Sequence, residues 1–128
     1  MPANSSFDYA VLRVVPCVER AEFVNAGVVL YCAEAAFLGC RIHLDAERLR
    51  ALAPEADLEV IGRHLESFER IAAGDPAAGP IARLTRSERF HWMTAPRNTA
   101  VQVSEVHSGL CESAPATLEE LFRRMVLR

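Results

Sequence analysis

The chain has 128 residues, of which 51% are hydrophobic and 24% charged, so we expect one folded domain over residues 1–128 and not a disordered chain. The formal net charge of −3 disfavours nucleic acid as a partner. All 14 basic residues are arginines, which excludes Schiff-base chemistry and a phosphate-binding lysine, and leaves every contact to a carboxylate or phosphate to arginine.

The N-terminal residues 1–6 are a polar lead-in that we expect to be flexible, and they carry no export signal. The longest apolar run, residues 26–33, is too short to cross a membrane. We therefore expect a cytoplasmic protein without membrane contact, whose cysteines are reduced thiols. Because these cysteines lack the spacing of metal ligands, neither a metal nor a cofactor is predicted; they are Cys17, Cys32, Cys40 and Cys111.

The first third of the chain has the pattern of a three-stranded antiparallel meander. Residues 7–16 are rich in β-branched side chains, and residues 22–32 are almost continuously apolar, as in a central strand that is covered on both faces. In residues 37–44, the apolar side chains of Leu38, Cys40, Ile42 and Leu44 alternate with Gly39, Arg41 and His43. This alternation predicts a third strand with one buried face.

Two helices are predicted next along the chain. Asp45 is a suitable N-cap for a short helix that ends before Pro54. Asp57 begins a longer helix, in which apolar residues recur every three or four positions. The segment Gly74-Asp75-Pro76 ends this second helix.

The remaining sequence predicts a second hairpin and a final helix. Residues 89–95 and 100–106 are assigned to the hairpin, with its turn at Pro96-Arg97-Asn98. The segment from Thr117 to Glu120 has the spacing of a capping box and begins the last helix. The order βββ-αα-ββ-α predicts an α+β fold: a single domain with an antiparallel sheet of about five strands and helices packed on one face.

A first candidate site lies at the connection between the first two strands. Glu22 and Asn25 bring polar groups into an otherwise apolar strand, and such groups need solvent or a hydrogen-bonding partner. Arg13 interrupts the valines of the first strand, so antiparallel neighbours would bring all three groups together at one end of the sheet. An ion pair of Glu22 with Arg13 or Arg97 is then expected. Two interpretations stay open, a ligand-binding edge and a turn in which Glu22 pairs with an arginine.

A second candidate is the arginine-rich segment 83–97. Arg83, Arg86 and Arg89 lie in it together with Arg97, and Glu88 is its single acidic residue. Aromatic residues between the arginines suit a phosphate or nucleotide site. In the alternative interpretation, the aromatic side chains point into the core and the arginines pair with glutamates elsewhere in the protein.

A third candidate is the segment 105–111, which contains His107 and Cys111. Such a pair can supply a nucleophile and a base, but nothing nearby orients the imidazole. The alternative is a structural histidine at a strand end. Because the sequence has no GxSxG, HExxH or glycine-rich phosphate loop, enzymatic activity has little support.

Four segments give the chain a family resemblance that runs from Phe7 almost to the C-terminus. They are YAVLRVVP at 9–16, EFVNAGVVL at 22–30, SERFHW at 87–92, and APR at 95–97 with His107-Ser108-Gly109. With these segments the chain resembles a bacterial family of unknown function, DUF3037. The resemblance implies no reaction; it implies genes that are encoded beside those of HipA-like kinase proteins, which suggests a small accessory or regulatory partner. The polar and glycine hallmarks of that family match Arg13, Glu22, Asn25, Gly27, Arg97 and His107.

We expect a non-enzymatic accessory domain that binds a protein partner, and the resemblance suggests a HipA-like kinase; a homodimer is also compatible with the sequence. The alternative is a small enzyme or ligand-binding domain for an anionic molecule, such as a nucleotide or another phosphate or carboxylate. Its site would use Arg13, Glu22, Asn25, Arg97 and His107. An exposed patch would favour the first function, and a concave pocket with convergent polar groups the second.

Overall fold

Side chains of the first three strands alternate between two apolar faces of one sheet. The computed structural model describes residues 4–128. β1 (Ser5–Val14), β2 (Val24–Cys32) and β3 (Phe37–Ile42) form the expected antiparallel meander. β1 begins inside the predicted lead-in, of which residues 1–3 lie outside the described residues.

Two further strands complete the sheet, and both pair with β1. β4 (Val101–Val103) runs antiparallel to the C-terminal part of β1, and β5 (His107–Cys111) runs antiparallel to its N-terminal part. The strand order is β3-β2-β1, with β4 and β5 following one another along the far side of β1. The prediction of an α+β fold with a five-stranded antiparallel sheet is therefore confirmed.

The two predicted helices after the meander are present with the expected caps. α1 (Ala46–Leu52) begins after Asp45, and α2 (Leu58–Ala73) begins after Asp57; each aspartate accepts a hydrogen bond from a backbone N–H of the first turn. α2 ends at Gly74, which adopts a left-handed conformation with φ of 72°. Short 3₁₀ turns lie at Val18–Arg20, Pro76–Ala78 and Pro80–Arg83.

The predicted second hairpin is wrong, because most of its first strand lies in a helix, α3 (Arg86–Met93). The hydroxyl of Thr85 accepts a hydrogen bond from the N–H of Glu88, at 3.2 Å, and the carboxylate of Glu88 accepts one from the N–H of Thr85, at 3.1 Å. This reciprocal capping box begins a helix at Arg86, three residues before the predicted strand at residues 89–95. Phe90 and Met93 are then buried on one side of α3. The observed order is βββ-ααα-ββ-α.

Both faces of the sheet are covered, and by different helices. Ala10, Leu12 and Val14 of β1 lie on the face that packs with α1, α2 and α3. The opposite face, which carries Phe7 and Leu30, packs with α4 (Ala114–Met125). The prediction that the helices pack on one face is therefore wrong for α4, since a central strand that is apolar on both sides needs cover on both. Within residues 4–128, none of the helices has the length and apolar character to cross a bilayer.

Two glycines give a direct test of this packing. A Cβ atom at Gly27 in β2 would lie 2.8 Å from the carbonyl oxygen of Arg41, whereas a Cβ at Gly62 in α2 would meet no atom within 4 Å. We expect Gly27→Ala to lower the free energy of unfolding by about 1–3 kcal/mol through overpacking. Gly62→Ala should raise it by about 0.5–1 kcal/mol, because alanine loses less backbone entropy in a helix. Urea denaturation measures both changes, and changes of equal sign would contradict this packing.

Candidate functional site

α4 packs mainly against β2 and β3, so part of its face of the sheet lies open beside β1. Arg13 of β1 lies in this part, because it alternates with Leu12 and Val14, which face the other side. The backbone register places Arg13 opposite Asn25 of β2 and opposite Gln102 of β4. Directly opposed residues share a face of a sheet. We name this open area the Arg13 surface; it comprises Tyr9, Arg13, Phe23, Asn25, Gln102 and His107.

The guanidinium group of Arg13 is held in place by an aromatic ring and has no acidic partner. Its central carbon lies 4.2 Å from the centroid of the Phe23 ring, a cation–π contact. Its Nε atom is buried without a hydrogen-bond partner, and none of the ion pairs within residues 4–128 includes it. Phe23 is itself 44% exposed. The surface therefore presents an oriented cation that the described chain does not neutralise.

Asn25 connects this surface to the end of α4. Its Nδ2 group donates to the carbonyl oxygen of Met125, at 3.1 Å, and its Oδ1 atom is buried without a partner in the described chain. A β-bulge between Leu12 and Arg13 shifts the register, so that Arg13 pairs with Asn25 and not with Ala26. Bulges redirect side chains in this way. The amide of Asn25 therefore has a structural hydrogen bond and one free acceptor beside the Arg13 position.

His107 lies on the same face as Arg13 but further along the sheet. It is opposite Tyr9 in the register and exposed, and its ring is tilted by 39° against the Tyr9 ring, with 5.4 Å between centroids. Tyr9 and Arg13 are four residues apart, which is about 13 Å along a strand. The structure therefore brings Arg13 and Asn25 together and leaves His107 as a separate aromatic end of the same surface.

The predicted ion pair of Glu22 with Arg13 or Arg97 is wrong. Glu22 pairs with Arg20 instead, with 2.6 Å between Oε1 and Nε. A 3₁₀ turn and the left-handed residue Ala21, with φ of 57°, bring these two side chains together outside the sheet. The hydrogen bond from Arg20 and its positive charge hold the pKa of Glu22 below its usual value. Of the two interpretations, the turn in which Glu22 pairs with a nearby arginine describes this segment.

Arg97 lies on the other side of the sheet, at the end of α3. Its guanidinium donates to the carbonyl oxygens of Met93, at 2.9 Å, and Trp92, at 2.7 Å. It also lies 5.1 Å from the Phe68 ring centroid and 4.8 Å from that of Trp92. Burial lowers its pKa. Arg97 therefore donates to carbonyl groups at the C-terminal end of α3, where its positive charge interacts favourably with the negative end of the helix dipole.

The arginines of the segment 83–89 do not form one anion site. Arg89 donates to the carbonyl oxygens of Ala82 and Leu84, at 3.3 and 3.2 Å, and burial together with the charge of Arg86 lowers its pKa. Arg83 and Arg86 are exposed and belong to no ion pair within residues 4–128. Arg89 therefore links the start of α3 to the preceding 3₁₀ turn, whereas Arg83 and Arg86 are exposed to solvent.

A cavity between α3 and the sheet contains polar residues that the sequence analysis missed. Its volume is about 350 Å³, and its lining is Asp8, Tyr31, Ser87, Phe90, His91, Thr94 and Val106. The hydroxyl of Ser108 donates to Asp8 Oδ1 at 2.6 Å. The four residues from α3 have the spacing i, i+3, i+4 and i+7 of one helix face. This spacing indicates that the four side chains share one side of a helix. The assignment of the segment to a strand hides that relation.

Cysteine and metal chemistry receive no support from the geometry. All four cysteines are free thiols, and three of them are buried. Burial raises the pKa of the Cys40 thiol far above its usual value, which keeps it protonated and unreactive. Among residues 4–128, no three histidine, cysteine or acidic side chains are grouped as a metal site would require.

The fold and the site define a small α+β domain in which three of the sequence-predicted polar residues, Arg13, Asn25 and His107, lie on an open sheet surface. The family model "Protein of unknown function (DUF3037)" matches residues 9–126, and the chain therefore belongs to the DUF3037 family. No curated protein and no solved structure matches the chain.

Because Arg97 caps α3, its replacement should lower the stability of the fold. Arg97→Met removes two charge-assisted hydrogen bonds and should lower the free energy of unfolding by about 1–3 kcal/mol. Arg83→Met is the matched control; its side chain is exposed, so the change should stay within about 0.5 kcal/mol. Thermal and urea denaturation followed by circular dichroism measure both. Equal stability of the two variants would show that the contacts of Arg97 contribute nothing to the fold.

Proposed function

We propose that this domain is a non-enzymatic accessory protein of the bacterial cytoplasm and that it binds a protein partner through the Arg13 surface. The observation that carries this proposal is the unneutralised guanidinium of Arg13, stacked on an exposed phenylalanine. Such a group is complementary to a carboxylate of another protein, with which it can form a bidentate pair.

The composition of the Arg13 surface supports a protein partner. Arginine and tyrosine are enriched among the residues that contribute most binding energy at protein interfaces, and here they lie on one rigid sheet with a phenylalanine and a histidine. Because Arg13 is already oriented by Phe23, less side-chain entropy is lost when a partner binds. The partner should therefore place an acidic side chain over Arg13 and an apolar or aromatic group near Tyr9 and His107.

The shape of the surface favours a protein over a small anion. Arg13, Asn25 and His107 line none of the five main cavities of the described chain. Small-molecule sites are concave and surround most of their ligand. The cavity beside α3 is concave, but its ionisable lining is Asp8 and His91 without an arginine, which does not suit a phosphate or carboxylate. The alternative of an anionic substrate therefore has weaker support than partner binding.

The identity of the partner is proposed from the family resemblance. Because the resemblance implies genes that are encoded beside those of HipA-like kinases, we propose a kinase-like protein of this type as the partner. The test is to purify tagged protein from its host and to compare the wild type with Arg13→Gln, which keeps a polar side chain but removes the charge. Arg83→Gln is the matched control, since Arg83 is exposed and lies outside the Arg13 surface.

We expect the wild type and Arg83→Gln to recover a kinase-like protein at about equal molar ratio, and Arg13→Gln to recover it at least about tenfold less, as for loss of a central interface arginine. Melting temperatures of all three proteins must be compared first, so that a folding defect is not mistaken for lost binding. Arg13→Lys keeps the charge but not the planar fork, and it should give an intermediate result. Recovery by Arg13→Gln at the wild-type level would refute the proposed surface, and absence of a kinase-like protein would refute the proposed partner.

A further inference from the structure

β3 forms one edge of the sheet, and its outer side is unpaired. It pairs only with β2 in the described chain, and the N–H of His43 donates to the carbonyl oxygen of Ala26 at 2.8 Å. In an antiparallel pair the backbone groups of alternate residues point to opposite sides. Those of Leu38, Cys40 and Ile42 therefore point away from β2, and no hydrogen bond from residues 4–128 reaches them.

This edge lacks the features that usually prevent pairing with another chain. β3 contains no proline, and no bulge interrupts its register with β2. Its one charged residue, Arg41, is turned towards α4, where it pairs with Glu119 and lies 4.7 Å from the Phe122 ring centroid. A regular strand edge without proline, a bulge or outward charge is a template for another strand.

Grooves flank the edge on both faces of the sheet. On the α2 side, a groove of about 340 Å³ lies between Ile42 and the N-terminal half of α2, with Leu58 and Leu65 in its lining. On the α4 side, a groove of about 410 Å³ lies between Arg41 and the outer face of α4; charged side chains make up most of its lining, together with Phe122 and with Leu127, which follows α4. Side chains of a strand alternate between the two faces, so an added strand would direct them alternately into the two grooves.

Gly62 supports occupation of the groove on the α2 side. It lies in the interior of α2 and lines this groove, and a Cβ atom there would meet nothing within 4 Å. A glycine inside a helix costs about 0.5–1 kcal/mol relative to alanine. Within the described chain, no neighbouring atom is close enough to make a glycine necessary at this position. A side chain of a bound strand would occupy the space that the glycine leaves in the groove.

We propose that β3 is a strand-addition site, which binds an extended, proline-free segment of a partner protein with an apolar side chain for the groove on the α2 side. The backbone of the segment would bond to Leu38, Cys40 and Ile42, as in other complexes formed by strand addition to a sheet edge. This site is separate from the Arg13 surface and does not rest on the proposed function.

A second copy of this chain fits the edge less well than an extended segment. Leu38 and Cys40 are buried beneath the helices of their own domain, and Gly39 has no side chain. Phe37 and Ile42 are partly exposed but pack against the two cores of their own domain, so the β3 strand of a second copy would bring backbone groups and no uncommitted apolar side chain to the grooves. An extended segment carries its side chains uncovered and can fill both.

The test uses a phage-displayed library of random linear peptides, selected on the full-length wild-type protein. Gly62→Arg fills the groove on the α2 side without a clash in the free protein. Val60→Arg is the matched control, because Val60 is 50% exposed on the same helix and does not line the groove. We expect Gly62→Arg to weaken binding of the selected peptides by about tenfold or more, and Val60→Arg and Arg13→Gln to leave it within about twofold.

Hydrogen exchange locates the bound peptide. The amide protons of Leu38, Cys40 and Ile42 should exchange more slowly in the complex than in the free protein. The proposal is refuted if selection yields no binder, if these amides stay unprotected, or if Gly62→Arg binds as the wild type does. It is also refuted if sedimentation shows a dimer of the free chain that Gly62→Arg dissociates, since the occupant would then be a second copy. Arg13→Gln changes the Arg13 surface but not the β3 edge. Comparing it with Gly62→Arg therefore distinguishes a failure of the strand-addition proposal from a failure of the proposed partner surface.

Discussion

The structure depends on β1, which is paired along both edges and contributes side chains to both faces of the sheet. β2 occupies one edge of this strand, and β4 and β5 share the other. Its side chains enter two separate cores, with Leu12 and Val14 in one and Phe7 in the other. A strand in this position satisfies its backbone groups entirely through neighbours that are distant in sequence. The last third of the chain must therefore return to β1 before the sheet is complete.

The two faces of the sheet are covered unequally, and this inequality creates the exposed chemistry. Three helices pack on one face, whereas the single helix α4 lies mainly over β2 and β3 on the other. Arg13 alternates with Leu12 and Val14 and so faces the open area, and the bulge at Ala26 in β2 brings Asn25 opposite it. A charged side chain is tolerated there because partial exposure and the ring of Phe23 reduce the cost of desolvation. The same arrangement leaves the cation available to another molecule.

Arginine has several distinct roles in this lysine-free chain. Arg97 and Arg89 donate to backbone carbonyls, a role in which the planar fork of donors is an advantage. Arg20 and Arg41 form ion pairs with glutamates. Arg13 differs from all four, because its contacts in the described chain are with an aromatic ring and not with an acceptor. Residue type alone therefore says little about which arginine binds a partner, and the local contacts decide it.

The elements that local patterns specify could be predicted from the sequence. The meander follows from apolar alternation, and α1 and α2 follow from Asp45, Asp57 and the apolar period of the helices. α3 was missed, although Thr85 and Glu88 form a local capping box, because the aromatic and arginine residues after them have a strand-like composition. Even for the best local signals, a short helix depends on packing of its apolar face for most of its stability.

Only the tertiary structure decided how the candidate residues are grouped. Arg13 and Asn25 are neighbours because two strands pair with a bulge, and Arg97 is separated from them because α3 carries it to the other face. The sequence determined which polar groups had to find partners, since burial without one is costly. It did not determine the partners, because these depend on register, on helix placement and on contacts between residues as far as a hundred positions apart or more, such as Asn25 with Met125 and Ser5 with Cys111.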